Sequence, residues 1–462
     1  MDLCIRSGTI VTARDTFTAD LGVNNGQIAQ VGGTVPAAKR EIDAANLLVM
    51  PGAIDVHTHM DMPFMGTATS DDFATGTRAA AAGGVTCILD FAIQDKASDL
   101  LDTIAVWNAK AAGKAVVDYC FHVAVTRWFD DLPKQVRALI EKGFPSFKAF
   151  MAYKNDVMLD DEHLLRLLQT TKQHGGLVMV HAENGDAVSI LQQQALERGE
   201  TEPRYHALTR PQAVEGEATA RAITLAMLAA SPLYVVHVSC EDSIHHINSA
   251  RYRGLPVFGE SCPQYLGAIS CDDYDRREFE GAKFVCSPPL RPMAQSDHVW
   301  AAIRANTLQL ISSDHCPFTF EQKRAGINDF TLIPNGVPGV ETLVPLAWSL
   351  GVNRGLISPN RFVDLISTTP ARMFGLSPRK GTLTVGADAD IFLLDPVKEV
   401  TLNAAHLHQN IDYTPYEGFL CRGYPVLTIS RGDVIWEGGE HHCEDGRGKL
   451  TKRRRFDPKE LT

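Results

Sequence analysis

Between residues 53 and 311 one pattern recurs eight times: a short apolar run, followed in most cases by a longer stretch of helical period. The runs occupy 53–56, 85–91, 116–125, 144–150, 177–180, 233–238, 256–259 and 308–311. Helical stretches fill most of the gaps, among them 100–112, 132–141, 162–173, 217–230 and 299–306. A strand that is apolar throughout is buried on both faces, and parallel pairing needs a crossover of a dozen or more residues, usually helical. Eight such units predict a closed (β/α)8 barrel of TIM type rather than an open sheet.

The two ends of the chain have another texture. Residues 3–12, 20–23 and 28–31 read as short strands, separated by Asn24-Asn25-Gly26 and Gly32-Gly33. Similar apolar alternation returns at 389–394 and 426–436, punctuated by Gly386, Asp388 and Arg431-Gly432-Asp433. The ends are therefore expected to pair into one small β-sandwich domain. Residues 1–50 and 376–440 would form that domain and 51–375 the barrel, while 441–462 would be a C-terminal tail available for oligomer contacts.

Composition excludes several classes of partner. Forty-four basic against 55 acidic side chains give a formal charge of -11, so the average surface repels nucleic acid and anionic lipid. The basic run from Lys452 to Arg455 is the exception, and it reads as a solvated tail or a subunit contact. Ten cysteines without a C-x-x-C pair argue against a disulfide framework or a thiolate zinc site and predict reduced thiols in a cytoplasm. Asp2 and Arg6 interrupt the pattern of a signal peptide, and no apolar run reaches the roughly 20 residues of a membrane span. No membrane association is expected.

In a barrel of this kind the chemistry sits at the C-terminal ends of the strands. His57 and His59 follow the first run, and strand alternation points both the same way, so two imidazoles can grip one ion. Chance pairing is a competing account in a chain with 16 histidines. His181 ends the run 177–180, and His237 lies within 233–238; each alone reads equally as a core histidine. Asp314 follows the run 308–311, and Lys148 stands inside an apolar run between Phe147 and Phe150. Five of the eight strand ends thus carry candidate ligands.

Lys148 is the most telling of these. A buried ammonium is costly unless it is paired, neutralised or chemically changed, and it would repel metal. Reaction of the neutral amine with CO2 gives a carbamate (N6-carboxylysine), whose two oxygens can bridge two ions. Pairing of the ammonium with a carboxylate is the alternative. Two zinc ions set against one carbamate, Asp314 and a bridging hydroxide leave a single positive charge, which keeps the centre Lewis-acidic. Metal binding lowers the pKa of water toward about 7. Imidazole and carboxylate donors without thiolate fit zinc, with manganese or cobalt as substitutes.

At this level of detail the sequence resembles a known family. Pro51-Gly-Ala-Ile-Asp-Val-His-Thr-His59, Phe147-Lys-Ala-Phe-Met-Ala-Tyr153, Val180-His-Ala-Glu-Asn184, Val236-His-Val-Ser239, Ser287-Pro-Pro-Leu290, Ser313-Asp-His-Cys-Pro317 and Pro334-Asn-Gly336 are similar to segments of the cyclic amidohydrolases, specifically dihydropyrimidinases and D-hydantoinases. The likeness runs from Ile5 to Phe456.

The resemblance implies hydrolytic opening of 5-substituted hydantoins, D forms above all, or of dihydropyrimidines, by a zinc-bridged hydroxide. His57, His59 and Asp314 would bind one zinc, His181 and His237 the second, and carboxylated Lys148 would bridge them. Asp314 would also move the proton from the nucleophile to the leaving nitrogen, and Tyr153 would stabilise the oxyanion. Backbone groups at Ser287 and Asn335 would hold the ring's imide. Met62, Phe64 and Met65 would form an adaptable apolar wall around the ring substituent, or simply plug the barrel mouth. A homotetramer or homodimer is expected from the same likeness.

The same residues bear on related chemistries. A dihydroorotase usually carries arginine two positions beyond the His-x-His pair, where this chain has Asp61, an anion expected to repel orotate-like substrates. An allantoinase-like hydrolase is the closer alternative. A catalytically silent relative acting as an interaction protein would lack metal ligands, whereas all six positions are filled here.

Overall fold

The computed structural model describes residues 1–461. Each apolar run contributes a parallel strand to one eight-stranded sheet: Ala53–Thr58, Val85–Ile93, Asp118–Ala124, Ser146–Phe150, Leu177–His181, Leu233–Val235, Val257–Ser261 and Leu310–Ile311. Every strand pairs with the next in chain order. The sheet closes where His315 bridges Thr58. There the His59 N–H donates to the His315 carbonyl at 2.9 Å and the His315 N–H to the His57 carbonyl at 3.3 Å. This is a (β/α)8 barrel.

The crossover helices follow their sequence periods. Helix Asp161–His174 buries Leu164, Leu167, Leu168 and Thr171, one face at three- and four-residue spacing. The Asp160 carboxylate accepts from the His163 N–H at its start, and Gly175 ends it.

Several strands are shorter than their apolar runs predict; 116–125 keeps Asp118–Ala124 and 144–150 keeps Ser146–Phe150. The run 233–238 stops pairing at Val235, and 308–311 keeps only Leu310–Ile311. Just beyond, His237 and Asp314 adopt φ of 39° and 52°. A left-handed backbone cannot continue a strand, and at a residue with a Cβ it costs roughly 1–3 kcal/mol. The strand before His237 ends two residues ahead of this turn, whereas Leu310–Ile311 ends where its apolar run does, three residues ahead of Asp314.

The chain ends meet in a nine-stranded mixed sheet that forms the β-sandwich. Leu48–Pro51 from the N-terminal part lies antiparallel to Ile391–Thr401, and Ile5, Leu21, Val49, Leu393 and Ile429 share its core. Passage into the barrel is tight. A Cβ on Gly52 would lie 2.1 Å from Thr86 Oγ1, so only glycine fits between the last sandwich residue and the first barrel strand.

The tail crosses the N-terminal face of the barrel. Thr451 N–H donates to Tyr119, Arg453 N–H to Gly143 and Phe456 N–H to Gly175, all at 3.1 Å or less. Arg453 is buried and donates to the Phe121 carbonyl at 2.6 Å and to Ser146 Oγ at 2.7 Å. The expectation of a solvated basic run therefore fails at this residue, because the open barrel floor offers acceptors that a cation can cap. No helix among the described residues is long and apolar enough to cross a membrane.

Candidate functional site

The strand tops converge on a cavity of about 480 Å³. Its walls contain His57, His59, Lys148, His181, His237 and Asp314, together with Tyr153, Ser287, Asn335, Met62, Phe64 and Met65. All twelve residues singled out in the sequence thus share one concavity.

Asp314 stands between two imidazoles. Its Oδ1 lies 3.0 Å from His57 Nε2 and 3.3 Å from His59 Nε2. On the far side of His57, Nδ1 lies 2.5 Å from Glu260 Oε1. A carboxylate only accepts, so Nδ1 carries a proton toward Glu260, and Nε2 faces the Asp314 carboxylate on the other side. Glu260 is itself held by the Tyr234 hydroxyl at 2.8 Å. Burial opposes charge on His57, but Asp314 and Glu260 outweigh it and pull the ring up to about 9. These two anions demand positive charge at the first strand top, and a proton or a divalent cation meets the same demand.

The second pair lies across the mouth. His181 Nδ1 is 3.0 Å from His237 Nε2, while His181 Nε2 donates to Glu183 Oε2 at 2.7 Å. Arg210 donates to the same oxygen at 2.7 Å, and its guanidinium lies 5.7 Å from the Tyr153 ring. Burial drives His59 down to about 4 and lowers His181 and His237 as well, so three rings are neutral at physiological pH, the form that binds metal. His59 Nδ1 and His237 Nδ1 have no hydrogen-bond partner although buried.

Lys148 is 1% exposed and rests between the Phe91 and Phe150 rings, 4.8 and 5.2 Å from their centroids. Burial lowers it to about 7, with Asp314 and Glu260 pulling the other way. Among the described residues no carboxylate forms an ion pair with it. A half-neutral amine facing a solvent-accessible cavity is the form that can react with CO2, whereas the paired ammonium has no partner here.

The residues fit a metal centre. Ligand atoms of His57, His59 and Asp314 lie within 4.8 Å of one another. A second cluster, Asp118, Asp388 and Asp390, is filled by the Lys380 ammonium, 2.8, 3.2 and 2.5 Å from the three carboxylates.

The remaining walls set shape and polarity. Tyr153 has φ of 64°, and burial raises its phenol to about 12, with Ser287 and Asn335 acting in the opposite direction. It stays protonated and can donate. Phe64 meets Tyr153 edge to face at 5.5 Å, and Met62 packs with Cys316 and Phe318. Asp61 is not part of the cavity wall; it turns toward Lys110, 3.9 Å away. Its expected repulsion of anionic substrates is therefore withdrawn, because the left-handed turn at Asp61 aims it outward.

Several contributors escaped the sequence reading. Glu260, directly after the run 256–259, could have been suspected as a carboxylate at a strand top. Glu183, two residues beyond His181 in the segment 180–184, carried the same signal; Arg210 and Lys323 carried none. Lys323 is fully buried and donates to the carbonyls of Val285, Pro334 and Gly336, each at 2.9 Å.

Comparison with known proteins follows the same lines. The amidohydrolase family pattern matches residues 48–435. The chain is 47% identical over 459 residues to a D-hydantoinase of Geobacillus stearothermophilus, covering 99% of this chain and 97% of that protein. It is 41% identical over 462 residues to a dihydropyrimidinase of Rattus norvegicus, covering 98% and 89%. The crystal structure of dihydropyrimidinase from Brevibacillus agri superposes with a TM-score of 0.97 at 46% identity, over 99% of this chain and 100% of that one.

Proposed function

The chain belongs to the amidohydrolase family, and from that membership we propose that it opens cyclic amides by hydrolysis. The substrates would be 5-substituted hydantoins, giving N-carbamoyl amino acids, and dihydropyrimidines, giving N-carbamoyl β-amino acids. The observation that carries this reading is the meeting of four imidazoles, Asp314 and an unpaired Lys148 in one cavity. The relatives' activities, D-hydantoinase and dihydropyrimidinase, supply the substrate class.

His57, His59 and Asp314 would hold one zinc ion, His181 and His237 the other, and Lys148 would join them once its amine has added CO2 and released a proton. Manganese or cobalt would substitute. Two such cations supply Lewis acidity, which activates water at neutral pH and polarises the scissile carbonyl. Asp314 then takes the proton of the attacking water on its carboxylate and returns it to the leaving ring nitrogen. Tyr153 keeps its own proton and donates it as a hydrogen bond to the carbonyl oxygen as negative charge develops there. Backbone groups of Ser287 and Asn335 hold the ring's imide, and Met62, Phe64 and Met65 exclude water around the carbon 5 substituent. That apolar wall favours aryl or alkyl hydantoins over the ureido-bearing ring of allantoin, and the full donor set disfavours a silent, interaction-only protein.

We assign residues 51–375 to the catalytic unit, 1–50 with 376–440 to the sandwich and 441–462 to the tail. Ten unpaired cysteines suit a reducing cytoplasm. A homotetramer or homodimer, read from family likeness, is checked by light scattering.

The deciding experiment compares zinc-loaded hydrolysis of dihydrouracil, D- and L-5-phenylhydantoin and a 5-alkylhydantoin. The expected result is faster opening of the D-aryl ring than of its L form. Metal-loaded protein that opens none of them overturns the reading. The carbamate is checked separately, as the mass of one CO2 on the Lys148 peptide under native conditions.

A further inference from the structure

Ser287 and Asn335 stand on two loops far apart in sequence, yet both must be held rigidly if their backbones are to grip a ring. One side chain ties the loops together. Lys323 is buried, and its Nζ lies 2.9 Å from each of three carbonyls, Val285, Pro334 and Gly336. Val285 is two residues before Ser287, and Pro334 and Gly336 flank Asn335. Three carbonyl acceptors match the three N–H donors of an ammonium, the form this cradle selects against a burial that pulls Lys323 down to about 7. Gly336 is jammed as well: its N–H donates to Val285 O at 2.9 Å, and a Cβ would fall 2.3 Å from Cys316 O.

The chemistry goes beyond tethering. The Pro334 carbonyl belongs to the same peptide unit as the Asn335 N–H. Donation from a charged ammonium to that oxygen withdraws electron density from the unit and makes the N–H a stronger donor. Asn335 lines the cavity, and among the described residues no acceptor takes its N–H. A buried backbone donor without a protein partner is rare, and a ligand carbonyl is its natural complement.

We infer that Lys323 is a positioning residue for substrate binding: its Nζ fixes the Ser287 and Asn335 loops and polarises the Asn335 N–H toward the ring carbonyl that is not attacked. The inference rests on the cyclic-amide reading. The non-reacting carbonyl carries similar charge in the ground and transition states, so losing its donor weakens both equally and raises KM without lowering kcat.

The test is Lys323→Met, which keeps length and volume but removes the charge and the donors. Zinc-loaded wild type and variant are compared for KM, kcat, bound metal and melting temperature. The expected result is a KM raised by about tenfold or more, with kcat within about threefold and metal content unchanged. An unchanged KM, or kcat and bound metal falling together, overturns the inference. If the Met variant does not fold, Lys323→Gln, which keeps two N–H donors, carries the same comparison and gives a smaller rise in KM. A probe that needs no variant is the 2-thio analogue of the same ring, whose sulfur is a poorer acceptor. Wild type should bind it more weakly, and an unchanged KM overturns the polarised donor. Wild type inactive on every cyclic amide would refute the functional reading instead.

Discussion

Two clusters of buried charge, one at each end of the barrel, are treated in opposite ways. At the N-terminal face, Lys380 meets Asp118, Asp388 and Asp390, Arg431 Nε meets Asp118 at 3.1 Å, and Arg379 Nε meets Asp388 at 2.9 Å. Three cations balance three anions, and the carboxylates also accept backbone N–H bonds from Lys449 and Arg431. At the C-terminal face, Lys148 has no carboxylate partner, and His59 and His237 keep unpaired ring nitrogens. Polar groups that satisfy one another hold a fold together. Polar groups kept unmatched are maintained at a cost of stability, which is the pattern of a site awaiting a ligand.

The largest test of that contrast is Lys148→Ala. It should lower kcat/KM by about a thousandfold or more, because the bridging group is gone. A small carboxylic acid should restore part of the rate. Melted without metal, the variant should be no less stable than wild type, since the change removes a costly buried amine. The mirror experiment is Lys380→Met. Three carboxylates lose their ammonium, so urea denaturation should show a loss of about 3–5 kcal/mol, while kcat stays unchanged. A fall in kcat with stability intact would break the division between the two faces.

Glu260→Gln gives a smaller effect on the functional side. Glutamine can still meet His57 Nδ1 but brings no charge and can turn its amide nitrogen toward the ring. Metal affinity should fall about 10- to 100-fold, as for other partners that orient a ligating histidine. Titration with a competing chelator measures it. Equal affinity in variant and wild type would mean that His57 is oriented by its backbone alone, through the His57 N–H bond to Asp55 at 3.3 Å.

How much of this could be read in the chain differs between residues for physical reasons. Eight apolar runs specify eight strands because full burial leaves them no polar face, and polar residues at or near the end of a run lie at the mouth. That logic brings His57, His59, Lys148 and His181 to one place. It does not foresee the left-handed turns at His237 and Asp314, because nothing local favours them; surrounding structure holds the strain. Nor does it find Lys323, which lies in Glu321-Gln322-Lys323-Arg324 and looks like an exposed helix end. Its burial follows from the approach of two loops distant in sequence, as does the burial of Arg453 under the barrel.

The smallest effect sharpens the comparison by separating location from satisfaction. His408 lies on the segment that follows the Ile391–Thr401 strand, and its Nδ1 is 2.7 Å from Glu341 Oε1, with the His408 N–H donating to Glu341 Oε2 at 2.6 Å. The Trp436 and His441 rings are its other neighbours, and burial with Arg78 nearby holds His441 down at about 4, so it adds no charge. The two partners shift in the same direction for different reasons: the hydrogen bond to Glu341 raises His408, whereas burial raises Glu341 despite the pairing. The ion pair exists above the raised Glu341 value and below the raised His408 value. A histidine raised on folding stabilises fully below its unfolded value near about 6.5, and that contribution fades as pH climbs through the folded value. His408→Gln should therefore cost more stability at pH 6 than at pH 9, where the ring is neutral; with His408 about a third exposed and Glu341 buried, the difference is on the order of 1 kcal/mol. Because this pair is satisfied, kcat should not follow the titration. A kcat that tracked it would mean that pairing of polar groups does not separate scaffold from site.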